Sequence, residues 1–158
     1  MSQPCRDEGV TLIEVLVTIS LMGAMMAIAL SGWASWGRAS GQTGTARELQ
    51  SVMRRTQQSA VTEGRAMCVQ FDVAANQYSV FRGACSDAAR TRIVGPVTVE
   101  SAQVALSAPA FTGSTAGAGA TFYARGTATP GTVSVTREGS SRVWTITVER
   151  LTGRVALS

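Results

Sequence analysis

An apolar run from Val10 to Leu30 limits what this 158-residue chain can fold into more than any other feature of its sequence. A helix of that length, roughly 21 residues, is long enough to cross the ~30 Å hydrocarbon layer of a membrane. A secretory signal peptide would have a shorter apolar core, a more basic leader and a cleavage site after the core. We therefore predict that residues 10–30 form a membrane helix, preceded by a polar segment, residues 1–9.

One acidic side chain, Glu14, lies near the start of this run. A carboxylate in hydrocarbon is costly unless it is paired, so an acidic residue at this depth usually has a function. We predict that Glu14 has either a partner or a function of its own. The alternative is a structural carboxylate close to the membrane interface.

All 14 basic side chains are arginine, so histidine and lysine are both absent. Without them there is no imidazole base or metal ligand, no Schiff base and no phosphate-loop lysine. The acidic residues are scattered, and Cys5, Cys68 and Cys85 lack the short paired spacing of a metal site. We therefore predict a protein that is not an enzyme and that has no metal, no cofactor and no small-molecule substrate.

Glycine is frequent in the next stretch, residues 31–45. Each glycine weakens a helix by up to ~1 kcal/mol relative to alanine, so we predict a frayed connector after the membrane helix. Trp33 and Trp36 follow the apolar run directly, where such rings favour the membrane–water interface, and packing on a neighbouring helix is an equal alternative. The glycines are Gly32, Gly37, Gly41 and Gly44.

A second helix is predicted over residues 46–63. Thr45 and Glu48 have the spacing of a capping box at its start, and Gly64 is a candidate cap at its end. Apolar side chains recur at helical spacing and form one narrow stripe that another element must cover. The stripe consists of Leu49, Val52, Met53, Thr56 and Ala60.

Beyond Arg65 the period of the apolar residues changes to two, which is typical of half-buried strands. Many short strand segments follow, separated by small polar loops, of which Thr112–Ala120 is predicted to be mobile. Helices followed by antiparallel strands predict an α+β fold, with the amphipathic helix packed on a sheet within a globular domain, residues 46–158.

Cys68 and Cys85 both follow the membrane segment. If Asn76 and Gln77 were the two turn residues of the first hairpin, Cys68 would face Cys85 across it. On the exported side of a membrane such a pair would form a disulfide worth about 3 kcal/mol. The alternative is two buried free thiols, which are common in protein cores.

The stretch "GVTLIE", Gly9 to Glu14, resembles the class III signal of type IV pilins and type II secretion pseudopilins. The resemblance implies that a prepilin peptidase cuts between Gly9 and Val10 on the cytoplasmic side and methylates the new Val10 amine. It also implies that Glu14 meets the N-terminal amine of a neighbouring subunit in the filament. The sequence departs from the family pattern in two places, because Val10 replaces the usual phenylalanine and acidic residues offset the basic leader.

Later segments resemble the H-type minor pseudopilins, the GspH/FimT group. They are "RRTQQSAVTEGRAMCVQF", "TFYARGTATPGTVSV" and the closing "WTITVERLTGRVALS". The resemblance implies a pilin-like fold with a removable leader, residues 1–9, and a minor subunit of a type II secretion pseudopilus or type IV pilus. It implies a single pass through the bacterial inner membrane, with a cytoplasmic N-terminus, an exported C-terminal domain and other pilin subunits as partners.

The alternative function is DNA binding during uptake, because some members of this group bind DNA through basic residues near the C-terminus. The net charge of +4 fits an anionic partner, although it fits an ordinary basic surface better. DNA-binding members carry a second arginine two positions after the glycine-arginine turn, where this chain has Ala156, so the motif is incomplete. The candidate DNA contacts are Arg125, Arg137, Arg142, Arg150 and Arg154.

Overall fold

The chain divides into two compact units, Met1–Arg38 and Ala39–Ser158. The first contains the apolar segment, and the second contains all of the strands. The computed structural model describes residues 11–99, 104–112 and 119–158, and it gives the backbone alone for residues 30–39 and 108.

One helix, α1, runs from Leu12 to Glu63. Thr11 precedes the helix, and its carbonyl and hydroxyl oxygens accept hydrogen bonds from the Glu14 amide at 3.0 and 3.4 Å. Gly64 follows the helix with a φ of +65° and so has the left-handed conformation of a C-terminal cap, as predicted. Thr45 lies inside α1, so the predicted capping box at that position is wrong.

The predicted break over residues 31–45 is also wrong, because α1 is continuous through it. Glycine disfavours a helix, but extending an existing helix costs far less than nucleating a new one. Tertiary contacts add to this. Gln42 is buried, and its side-chain amide donates hydrogen bonds to the carbonyl oxygens of Val135 and Arg142 at 3.1 and 2.8 Å. These bonds fix a turn of helix that sequence propensity alone would leave frayed.

Eight strands follow α1 and confirm the predicted α+β class. They form two antiparallel four-stranded sheets, with orders β3-β2-β1-β5 in the first sheet and β4-β6-β7-β8 in the second. The strands are β1 (Met67–Asp72), β2 (Gln77–Arg82), β3 (Thr91–Thr98), β4 (Val104–Phe111), β5 (Gly119–Phe122), β6 (Gly131–Arg137), β7 (Trp144–Val148) and β8 (Val155–Leu157).

The first hairpin has a different register from the predicted one. Asp72 pairs with Gln77, so the turn comprises the four residues 73–76, and Cys68 pairs with Phe81. Asn76 closes this turn with a φ of +51°, a conformation that asparagine tolerates better than most residues. A two-residue turn was the wrong assumption, and the longer turn shifts every pair across the hairpin.

The predicted apolar stripe of α1 is the helix's contribution to the core of the second unit. Leu49, Met53 and Ala60 are fully buried, and Thr56 is buried with its hydroxyl bonded to the carbonyl of Val52. Both sheets supply the other side of the same cluster, including Val69, Phe122, Leu106, Val133 and Ile146. Burial of this stripe, and not helix propensity, stabilises this half of α1.

Candidate functional site

The apolar segment Leu12–Ala29 presents its side chains outward. Its mean hydropathy is 2.2, and none of it is buried within the structure. By length and composition the segment is able to cross a membrane. Large apolar side chains exposed to this degree need a nonaqueous environment, because exposed apolar surface on this scale marks a protein or membrane contact.

The polar side chains of this segment satisfy their own hydrogen bonds. The hydroxyl of Thr18 donates to the carbonyl of Val15 at 2.9 Å, and that of Ser20 donates to Leu16 at 2.8 Å. Hydroxyls bonded back to the helix in this way expose no unsatisfied donor to hydrocarbon. They are therefore compatible with a lipid or protein environment.

Glu14 is the exception. It is exposed in the first turn of α1, and no cation contacts its carboxylate among the residues that the structure describes. Its place near the helix N-terminus favours the negative charge, because the helix dipole is positive there. Gly9 and Val10, the predicted cleavage and methylation residues, lie outside the described residues.

Cys68 and Cys85 are joined by a disulfide, with their Cα atoms 5.0 Å apart. The pair is not a facing strand pair, because Cys85 lies in the loop that follows β2. This loop folds back over the first sheet, where the Cys85 amide donates to the Thr121 hydroxyl at 3.0 Å. Both cysteines are buried, so the bond is a structural link.

The five C-terminal arginines do not form one patch. Arg125 and Arg154 lie in neighbouring turns, and Arg150 belongs to the same end because its carbonyl accepts the Ala128 amide. Arg137 and Arg142 flank the connection between β6 and β7 at the opposite end of those strands. The length of β6 separates the two groups by about 20 Å at ~3.3 Å per residue.

A second arginine cluster, which the sequence did not suggest as a site, lies on the outer face of the first sheet. The guanidinium groups of Arg90 and Arg92 lie 4.7 and 5.4 Å from the centre of the Phe81 ring. Arg90 also donates to the carbonyl of Cys85 and to the side chain of Gln70, so it holds the disulfide loop. Arg92 lies in β3, whereas Arg90 lies just before it, so the i, i+2 spacing alone did not identify this cluster.

Tyr78 is a buried ionisable side chain beside a carboxylate. Burial between α1 and the first sheet, together with the nearby Glu48 carboxylate, raises the pKa of Tyr78 above its ordinary value. Its hydroxyl donates to Glu48 at 3.4 Å. Within the described ranges, no group of three or more Cys, Asp or Glu side chains could share a metal ion.

Comparisons with known proteins agree with this geometry. A family model for the prokaryotic N-terminal methylation motif matches residues 5–30. A second model, described as type II transport protein GspH, matches residues 45–152, which is more than half of the chain. The comparison with curated protein sequences gave no significant match.

Solved structures share the fold at low sequence identity. The minor pseudopilin EpsH of Vibrio cholerae superimposes with a TM-score of 0.55 and 16% identity, over 73% of this chain and 94% of that one. The type IV minor pilin FimU of Pseudomonas aeruginosa gives a TM-score of 0.57 and 20% identity, over 78% of this chain and 92% of that one. At such identities the likeness shows the fold alone.

A methylation-type apolar helix joined to an α+β domain with two antiparallel sheets defines a pilin-like protein. The family-model match is more specific, and it shows that the chain belongs to the GspH family, the family described as type II transport protein GspH. This confirms the resemblance recognised in the sequence.

Proposed function

We propose that this protein is a minor subunit of a type II secretion pseudopilus or type IV pilus, held in the bacterial inner membrane until it is assembled. The observation that carries the proposal is the contrast along α1. Residues 12–29 are apolar and exposed, whereas residues 46–60 bury their apolar stripe in the core of a folded domain. The first part of such a helix would anchor the chain in the membrane, and the second part would hold the folded domain that the anchor carries.

Export of the C-terminal domain is part of the proposal. Disulfides persist in oxidising compartments, so the Cys68–Cys85 bond supports an extracytoplasmic location for the second unit. The N-terminus would then be cytoplasmic. A prepilin peptidase acting there would cut between Gly9 and Val10 and methylate the Val10 amine.

Glu14 would set the register of assembly. Its carboxylate is exposed and meets no cation in the described part of the chain. In a low-dielectric filament core, an amine of a neighbouring subunit would attract it strongly, and a subunit docked at the wrong height would leave the charge unpaired. The protein would act by assembling into a filament, with neighbouring subunits as its partners.

The test is processing. The full chain is expressed with and without a prepilin peptidase, and the mature N-terminus is determined by mass spectrometry. We expect a new N-terminus at Val10 that carries one methyl group, and no cut in a Gly9→Val variant. Gly23→Ala is the matched control, because a side chain at Gly23 would meet nothing within 4 Å, and it should be processed normally.

Assembly is tested separately with Glu14→Gln, which keeps the size of the side chain and removes its charge. We expect normal cleavage but a loss of the subunit from filaments sheared off the cells. An uncut wild-type chain beside a known prepilin that is processed would overturn the proposal. Normal incorporation of Glu14→Gln would overturn the role of Glu14 alone.

A further inference from the structure

The outer strands of the two sheets differ in how their edges are covered. At β8, Gln50 and Arg54 both donate to the carbonyl of Val155, at 3.1–3.3 Å. Gln57 bonds the carbonyl of Thr152 in the preceding turn at 2.9 Å. Side chains of α1 therefore occupy the Val155 carbonyl, one of the acceptors that another strand would use at β8.

Two further outer strands, β5 and β4, are covered in part by the chain itself. The segment after β5 folds back, so that Thr129 and Thr121 exchange backbone and hydroxyl hydrogen bonds. At β4, the side chain of Asn76 donates to the carbonyl of Val104 and accepts the amide of Leu106, at 2.8 and 2.9 Å. An asparagine amide thus imitates a neighbouring strand at the start of β4.

β3 is the remaining edge strand, and among the described residues nothing pairs with its outer backbone. Seven of its eight residues are exposed. A bulge near Val80 and Val94 and a proline, Pro96, interrupt its regularity. Such features discourage pairing with a long flat strand, so only a short segment would pair with this edge.

A groove lies beside β3 on each face of the first sheet. The groove on the α1 side has a volume of about 230 Å³ and is mainly apolar, with Val52, Met67, Val80 and Val94 in its walls. The groove on the outer face has a volume of about 260 Å³ and is mixed, with polar side chains beside the Phe81 ring. Side chains of a strand alternate between faces, so a strand at β3 would place neighbouring residues in the two grooves.

The charges beside the grooves are mainly positive. Arg55 lines the apolar groove, which contains no carboxylate. Arg92 lines the outer groove, where its guanidinium contacts the Phe81 ring and no described carboxylate. The one acidic residue there, Asp72, already accepts the Ala75 amide in the hairpin turn. An acidic occupant is therefore favoured over a basic one.

We propose that β3 is a docking edge for a short extended segment of another protein in which apolar and acidic side chains alternate. Apolar side chains would enter the α1-side groove, acidic ones would meet Arg92, and backbone hydrogen bonds would add a fifth strand to the first sheet. A second copy of this chain is disfavoured, since it would bring the same arginines together. The inference concerns the second unit and does not rest on processing or membrane insertion.

The test measures binding of synthetic peptides to the full chain in detergent by fluorescence anisotropy. The probe peptide is SVEVEVS, and the comparison peptides are SVKVKVS and the non-alternating SVVVEES. We expect the alternating acidic peptide to bind at least about tenfold more tightly than either, and to bind more weakly as salt is raised.

Two variants place the peptide at β3. Arg92→Glu and Val94→Asp should each weaken binding at least about tenfold, while the matched control Arg154→Glu, at an exposed position just before β8, should change it less than about twofold. Intact disulfide mass and unfolding midpoint show that each variant is folded. Equal binding of the three peptides, or binding unaffected by both variants, would overturn the proposal. So would a wild-type dimer in light scattering that Val94→Asp dissociates, which would assign the edge to a second copy.

Discussion

The side chain of Gln42 donates a hydrogen bond to the carbonyl oxygen of Val135, which lies 93 residues further along the chain, at 3.1 Å. The same amide nitrogen reaches the carbonyl of Arg142 at 2.8 Å. One buried side chain thus joins α1 to the end of β6 and to the loop after it. It does so in the stretch whose glycines suggested a break.

Gln42→Ala should therefore destabilise the second unit. The substitution leaves a buried carbonyl without its donor, which costs about 1–3 kcal/mol. Pulse proteolysis in urea on the detergent-solubilised chain measures this free energy of unfolding. Gln58→Ala, an exposed residue of the same helix, is the control and should stay within about 0.5 kcal/mol of the wild type. Equal effects of the two substitutions would contradict the role of Gln42.

Reduction of the Cys68–Cys85 disulfide should cost about 3 kcal/mol, because the bond closes a loop across a separation of 17 residues. Substitution of both cysteines by alanine should lower the free energy of unfolding by a similar amount, and the urea midpoint of unfolding should fall accordingly. The double variant has no disulfide to reduce, so its urea midpoint should be the same with and without reductant. A wild-type midpoint that is the same with and without reductant would contradict this expectation.

Alanine substitutions at Gly153 and Gly139 distinguish the cost of backbone strain from the cost of steric overlap. Both have positive φ values, +60° and +71°. A Cβ at Gly153 would also lie 2.5 Å from the Gly126 carbonyl oxygen and 2.6 Å from the Gln57 amide nitrogen, whereas one at Gly139 would meet nothing within 4 Å. Gly139→Ala should cost about 1–2 kcal/mol from backbone strain, and Gly153→Ala distinctly more. Urea unfolding of the two variants compares them directly.

Stability at high pH should depend on Tyr78, whose pKa is raised by burial and by Glu48. The neutral phenol is favoured in the folded state. Its stabilising effect is therefore fully present below pH ~10, the ordinary tyrosine pKa, and is lost as the pH rises through the folded-state pKa. The free energy of unfolding should fall more steeply above pH ~10 in the wild type than in Tyr78→Phe.

Tyr123→Phe is the matched control, since it removes the other tyrosine of the chain. It should keep the steep fall. Parallel pH profiles for the wild type and Tyr78→Phe would show that the Tyr78 phenol is not linked to folding.

The spacing of apolar residues predicted the second half of α1 and the presence of strands well, because burial of one face of an element imposes that spacing. Leu49, Met53 and Ala60 recur at helical spacing, and all three are in the core. The end of the helix could also be predicted, because Gly64 readily adopts the left-handed conformation that a C-terminal cap needs. Both features depend on residues that are close together in the sequence.

Features that depend on residues far apart in the sequence could not be predicted in the same way. In the stretch that was predicted to break, Gln42 of α1 bonds the carbonyl groups of Val135 and Arg142, which no local pattern marks. The hairpin register depends on Asn76, whose side chain also binds β4. The C-terminal arginines are close in sequence, yet the antiparallel course of β6 and β7 carries them to opposite ends.

The partial covering of the other outer strands also bears on where the second unit can accept a further strand. A domain with two open edges can pair on both sides and so propagate without limit. Among the described residues, β3 is the outer strand whose backbone accepts no such contact from a side chain or a returning segment. A partner strand at β3 would therefore extend the first sheet without displacing a contact that the second unit already makes.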